Sequence, residues 1–288
     1  MSSLGIRLQH LLPHHLLSRC VLKLTRIRNR PIKNTITRLF IAGFHPDLSD
    51  AVETDAYAYG SFNEFFTRAL RADARPLAGG PSTLVSPVDG TMSQLGALRR
   101  HELLQAKGRY YTLDALLAGA APRWAPRFID GFFSTIYLAP YNYHRIHMPA
   151  DGTLQEMWYV PGRLFSVNHN AAATVTDLFA RNERLILLFE GACGVFAVIF
   201  VGALNVGSMA TVWHGDVTPR QPRKACAIPL PPEAERFRAR GAEIGRFNMG
   251  STVILLFERD RVTLNARLAS GATMRMGQEL GHIGGNPA

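Results

Sequence analysis

Gly250-Ser251-Thr252 sets a glycine and a serine directly ahead of the apolar run Val253 to Phe257, so a small nucleophile stands at the mouth of a buried strand. Glycine lacks a Cβ, so the Gly250 peptide can take backbone angles closed to other residues and can be approached closely. A serine there could attack the carbonyl that precedes it, although Gly-Ser is also a common turn dipeptide. A serine hydroxyl at its ordinary pKa is a weak nucleophile; it needs a base, and the base needs an orienting partner. Ser86-Pro87-Val88-Asp89-Gly90 offers Asp89 at a strand-end turn, where its plainer use is a hydrogen bond to its own backbone. Tyr143-His144-Arg145-Ile146-His147-Met148-Pro149 offers two histidines three apart, which share a face of a helical turn but point to opposite sides of an extended segment. Pro140 and Pro149 bracket them, so any helix there is very short. An extended geometry lets one histidine reach a given serine and frees the other for a different task. No further ligands at metal-site spacing accompany them, and no metal is expected.

The elements that must position these groups are mainly strands. Short apolar runs separated by Gly, Pro, Asn and Asp fill the chain from Leu84 onward: Phe132 to Leu138, Thr153 to Val160, Leu185 to Phe189, Val195 to Val201, Leu204 to Val212, Val253 to Phe257 and Val262 to Leu268. Gly191 to Trp213 carries no formal charge and is long enough to raise a membrane-spanning helix. Its four glycines and its valine, isoleucine and phenylalanine content favour consecutive strands instead. Helical stretches are few, around Leu113 to Leu117 and Ala173 to Asn182. Ser61 to Leu70 reads as a helix with a capping box, Ser61 standing three residues before Glu64. Pro219 to Pro232, with five prolines, reads as a surface loop. The pattern predicts an α+β fold, a strand-rich body with an antiparallel or mixed β core preceded by N-terminal amphipathic helices.

Net charge is +10, and residues 1–46 hold eight basic residues (Arg7, Arg19, Lys23, Arg26, Arg28, Arg30, Lys33 and Arg38) with no acid before Asp47. The remainder is nearly balanced, so this is a basic appendage on a neutral body. Leu16, Cys20, Leu24 and Ile27 share one helical face with Leu17 and Val21, beside a basic stripe of Arg19, Lys23, Arg26 and Arg30. A nucleic-acid arm has no need of so much leucine and isoleucine; a helix lying in an anionic lipid interface does. Packing of the apolar face on the body is the alternative. Charges interrupt every apolar stretch, so no secretory signal is expected. Three scattered cysteines (Cys20, Cys193, Cys226) fit a reducing compartment better than a disulfide framework.

Together these pieces resemble one family closely. The chain is similar to the bacterial, pyruvoyl-dependent phosphatidylserine decarboxylases through Asp89-Gly90, Tyr143 to Pro149 and Gly250-Ser251-Thr252, and also through Phe62-Asn63-Glu64-Phe65-Phe66, Leu164-Phe165-Ser166-Val167-Asn168, Leu178 to Arg184 and Gly245-Arg246-Phe247. One departure is Met249, where the family usually has leucine; volume and apolarity are conserved. The resemblance implies that Ser251 attacks the Gly250 carbonyl, with His147 as base and Asp89 holding the imidazole. It implies a cut between Gly250 and Ser251, giving a β chain of residues 1–250 and an α chain of 251–288 that stay together as a heterodimer or within a larger oligomer. Ser251 becomes a covalent pyruvoyl group that binds the amine of phosphatidylserine as a Schiff base, releasing CO2 and phosphatidylethanolamine. His144 is then the proton donor to the carbanion, although the two histidines could exchange roles. The resemblance further implies peripheral attachment to the cytoplasmic side of the inner cell membrane, with residues 1–46 as docking helices and 47–288 as the catalytic domain. A serine hydrolase acting on an external acyl substrate is the competing enzyme reading, but Gly250-Ser251-Thr252 lacks the G-x-S-x-G elbow. A non-enzymatic membrane-binding module would leave Ser251, His147 and Asp89 without a purpose.

Overall fold

Glycine- and proline-bounded apolar runs become the strands of one large antiparallel sheet. The computed structural model describes residues 13–106, 108–203, 208–218, 222, 224–248 and 251–284. Nine strands form the sheet, in the order Cys226–Ile228, Gly152–Val160, Arg184–Gly191, Gly194–Val201, Ser251–Phe257, Phe132–Leu138, Gly90–Ala97 and Thr273–Met274, with Phe237–Arg238 also paired to Gly152–Val160. Ser251–Phe257 lies inside it, Val253 opposing Ile136 on one side and Phe200 on the other. All seven of its residues are buried, as an uninterrupted apolar run requires of a strand covered on both faces. A four-stranded sheet, Gly215–Asp216, Met209–Thr211, Glu243–Phe247 and Arg145–His147, carries the histidine segment. A third sheet joins Thr83–Val85, Glu279–Ile283 and Val262–Leu264. The body is thus strand-rich with few helices, an α+β protein.

Several elements differ from the sequence pattern for identifiable reasons. Ala173 to Asn182 is not one helix: His169–Thr174 and Leu178–Arg181 are separate, divided by extended Val175 and by Asp177 at φ 53°. Ser61 caps its helix as expected, its Oγ accepting from Glu64 N at 3.2 Å, but the helix ends at Phe66. Glu64 reaches back to Gly60 N, 3.0 Å, one residue earlier than in a capping box. The strand expected to run to Leu268 stops at Leu264, and Met209–Thr211 is the described part of the run from Leu204 to Val212; residues 204–207 lie outside the described residues. Within the proline-rich loop, Cys226–Ile228 pairs with Gly152–Val160 at the sheet edge, where prolines flanking a short strand are tolerated.

Two helices, α1 (His14–Thr25) and α2 (Arg30–Phe44), precede the body, and α3 (Phe62–Phe66) follows. Asn29 caps α2 by accepting from Ile32 N, and Phe40 seats it edge-on against Phe62, Phe65 and Phe66. Burial along these helices is inverted relative to ordinary packing. Apart from Phe40, the residues they bury are polar, His14, Ser18, Thr25, Lys33 and Thr37, while Leu16 (61%), Leu24 (45%), Ile32 (44%) and Leu39 (66%) stand exposed. Lys33, one of the eight basic residues of 1–46, is turned inward, its Nζ donating to Tyr57 O and Tyr59 O at 2.7 and 2.8 Å. Among the described residues no helix is long and apolar enough to cross a membrane.

Candidate active site

Ser251 is the first residue of its central strand and pairs in register with Leu138. It is fully buried, and its Oγ has no hydrogen-bond partner among the described residues. An unsatisfied buried hydroxyl costs about 1–3 kcal/mol, a cost that Thr252, Ser134 and Thr135 share in the same sheet; Ser251 differs from them in following Gly250 directly. Gly250, whose carbonyl the serine would attack, lies outside the described residues.

His144 is fully buried, with its ring stacked on Phe66 at 4.1 Å between centroids. Its main-chain oxygen accepts from Phe247 N, which ties it to the strand leading toward Ser251. Nε2 lies 3.3 Å from Pro140 O. A carbonyl only accepts, so this contact assigns the ring proton to Nε2 and leaves a lone pair on Nδ1. Nδ1 is buried and makes no hydrogen bond among the described residues. Burial pushes the His144 pKa down to about 3; the Pro140 carbonyl opposes this and the Arg68 charge adds to it.

His147 is engaged at both ring nitrogens. Nδ1 donates to Gly241 O at 2.8 Å, and Nε2 accepts from the Tyr143 hydroxyl at 3.0 Å. Burial lowers its pKa, with the Gly241 carbonyl opposing, while burial raises that of Tyr143 and keeps the phenol a donor. The main chain brings His147 against the Asp89 turn, His147 N bonding Pro87 O at 2.9 Å. The two side chains nevertheless face different partners. Asp89 is clamped by Arg75, Nε to Oδ1 at 3.0 Å and Nη2 to Oδ2 at 2.6 Å, and Oδ1 also accepts from Met276 N at 2.8 Å. Arg75 reaches Asp50 as well, and these bonds raise its pKa. The turn itself needs Gly90, since a Cβ there would meet Tyr137 O at 2.4 Å. His147 thus adjoins the Asp89 turn while Ser251 stands in another sheet, and no continuous hydrogen-bonded Asp89–His147–Ser251 chain forms among the described residues.

A family model described as phosphatidylserine decarboxylase matches residues 62–282, and a second, described as PSD, matches residues 4–45. The chain belongs to the phosphatidylserine decarboxylase family. It is similar to the phosphatidylserine decarboxylase proenzyme of Bordetella avium, 49% identical over 94% of this chain and 92% of that one. It is also similar to the proenzymes of Azotobacter vinelandii (46%, covering 95% and 96%) and Ectopseudomonas mendocina (48%, covering 95% and 96%).

Around the phosphatidylserine decarboxylase family motifs, sequence reasoning missed the residues that hold them. Phe66 beneath His144, Tyr143 on His147 and Arg75 on Asp89 were visible only as parts of a helix, a motif and a loop. Among the described residues, no cluster of three His, Cys, Asp or Glu side chains comes together as a metal site would require.

Proposed function

We propose that this chain is a self-cleaving phosphatidylserine decarboxylase that turns phosphatidylserine into phosphatidylethanolamine and CO2. The observation that carries the reading is the orphaned hydroxyl of Ser251, buried at the start of a central strand directly after Gly250 in a member of this family. A serine kept as a hydrolytic nucleophile would face a substrate cleft, whereas a fully buried serine suits attack on its own chain.

In that attack Ser251 Oγ bonds to the Gly250 carbonyl carbon and its proton passes to a histidine. The Gly250–Ser251 C–N bond breaks as the nitrogen takes a proton, leaving an ester. Loss of the Ser251 Cα proton expels the Gly250 carboxylate, and water then displaces the nitrogen as ammonia, leaving a ketone at residue 251. The dry, orphan-bearing position of Ser251 fits such a pyruvoyl group, which supplies an electron sink for loss of a carboxylate. We assign His147 as base with Asp89 orienting it, which requires His147 to exchange both the Tyr143 hydroxyl and the Gly241 carbonyl for Ser251 and Asp89. His144 is then the proton donor in decarboxylation. One observation favours the exchanged assignment: the free lone pair in the uncut chain is on His144 Nδ1.

Intact-protein mass spectrometry tests the reading. Two chains are expected, 1–250 and a blocked 251–288; a single chain in active material refutes it. His147→Ala is expected to remain uncut and His144→Ala to be cut but inactive, and the reverse result establishes the exchanged roles.

Residues 1–46 are assigned as docking helices for an anionic membrane on the cytoplasmic side of the inner membrane. The outward leucines of α1 and α2 support this, because helices packed through their apolar faces would hide them. Replacing Leu16, Leu24 and Leu39 together by serine is expected to weaken flotation with phosphatidylserine vesicles by roughly 1,000-fold, at about 1.5 kcal/mol per leucine inserted. Unchanged flotation would remove the assignment.

A further inference from the structure

All four polar atoms of Asn248, two residues upstream of Gly250, are engaged. Its N–H donates to Ser208 O at 2.9 Å. Its carbonyl and its Oδ1 both accept from Asn63 Nδ2, at 3.3 and 3.2 Å. Its Nδ2 donates to Asp216 Oδ1 at 3.1 Å, and the other oxygen of Asp216 pairs at 2.5 Å with Arg26, which caps the C-terminus of α1. The amide orientation is not arbitrary: an ionised carboxylate only accepts, so the NH2 of Asn248 must face Asp216 and its oxygen must face Asn63. The residue is 3% exposed, so these bonds are little diluted by water.

This clamp stands on one side of the proposed scissile bond, and the ladder from Ser251 to Leu138 stands on the other. Only Met249 and Gly250 lie between. Attack of a hydroxyl on the preceding carbonyl needs the two atoms held near contact, and a misplacement of about 1 Å can cost roughly 100-fold in rate. The same short helix that supplies Asn63 also stacks Phe66 on His144, and the residue closing it, Thr67, accepts from Arg145 Nε at 3.0 Å. The Phe62–Phe66 helix thus touches both the clamp and a candidate histidine.

We propose that Asn63 and Asn248 are positioning residues for self-cleavage: Asn63 fixes the chain at Asn248 so that the Gly250 carbonyl is presented to Ser251 Oγ. This rests on the self-cleavage reading above and deepens it. Once the bond is cut, residue 248 lies near the end of the larger chain, so the clamp serves cleavage and not the later decarboxylation.

Freshly synthesised full-length chain provides the test, with precursor half-life followed by gel and turnover measured per cut chain. Asn63→Ala and Asn248→Ala are expected to lengthen the half-life by roughly 10–100-fold, the range of a lost near-attack geometry. Turnover per cut chain should stay at the wild-type value. Asn248→Asp sets a carboxylate against Asp216 and should slow cleavage as much, and adding Asp216→Asn should restore it by recreating a donor–acceptor pair. Wild-type half-lives in both alanine variants overturn the proposal. So does a parallel fall in turnover per cut chain, which marks a general folding defect, or a failure of the paired exchange to recover cleavage. An uncut wild type overturns the self-cleavage reading itself and this assignment with it.

Discussion

Ser251→Ala yields one uncut chain of 288 residues with no decarboxylase activity and undiminished stability. The first two results follow because no other hydroxyl occupies the position after Gly250 and the ketone has no other source. The third follows from burial. Ser251 Oγ has no hydrogen-bond partner among the described residues, so its removal breaks no bond to any of them and relieves a desolvation penalty of about 1–3 kcal/mol. The variant should match or exceed the wild-type precursor in urea midpoint while losing all CO2 release from phosphatidylserine vesicles. An intact mass showing a cut, or retained decarboxylation, sinks the mechanism. A large fall in midpoint would instead mean that the hydroxyl is a structural group.

Acid should weaken the fold through His144, and the uncut Ser251→Ala chain is the material in which to measure it. Folding depresses the pKa of this histidine from 6.5 to about 3, chiefly through burial. Between those values the unfolded chain binds a proton that the folded chain refuses. Stability is therefore greatest above pH 6.5 and falls as pH drops, at about 1.4 kcal/mol per unit from this residue. From pH 7 to pH 5 the loss is on the order of 2 kcal/mol. His144→Phe, which keeps an aromatic ring on Phe66, should flatten the pH dependence by that amount in urea unfolding. His147, also lowered by burial, adds to the slope of both proteins and cancels in the difference. Parallel curves would refute the buried neutral imidazole.

Legibility in the sequence followed the range of the interaction. Phe132 to Leu138 was readable to the residue, and Val253 to Phe257 nearly so, because each is a sustained apolar run closed by breakers. Ala121–Phe128 was hidden by Pro122 and Pro126: the first sits in the opening turn, where proline is at home, but the second stands inside the helix, where proline ordinarily breaks one. Gly90–Ala97 was hidden because all but two of its residues are partly or fully exposed and most are polar or small. At the site, residue types with intrinsic chemistry announced themselves. Their partners did not, because Arg75–Asp89, His147–Gly241 and Asn63–Asn248 are 14, 94 and 185 residues apart. Periodicity carries no information over such separations. The inward Lys33 and outward Leu39 were equally hidden, since amphipathicity names two faces without saying which one meets the body.

Under the proposed self-cleavage, the strand Ser251–Phe257 would give the protein a one-way life history. It is laced between two neighbours along its whole length, and the same 251–288 piece returns to supply an edge strand at Thr273–Met274 and two strands of another sheet. In the precursor that weaving is a single-chain event. After the cut it would require two molecules to meet and interlace, with the shorter one threading the middle of an otherwise finished sheet. Denaturation of the mature protein is thus expected to be an irreversible loss, while the precursor can be unfolded and recovered. Under the self-cleavage proposed above, each molecule would have its catalytic equipment installed once, with no means of renewal.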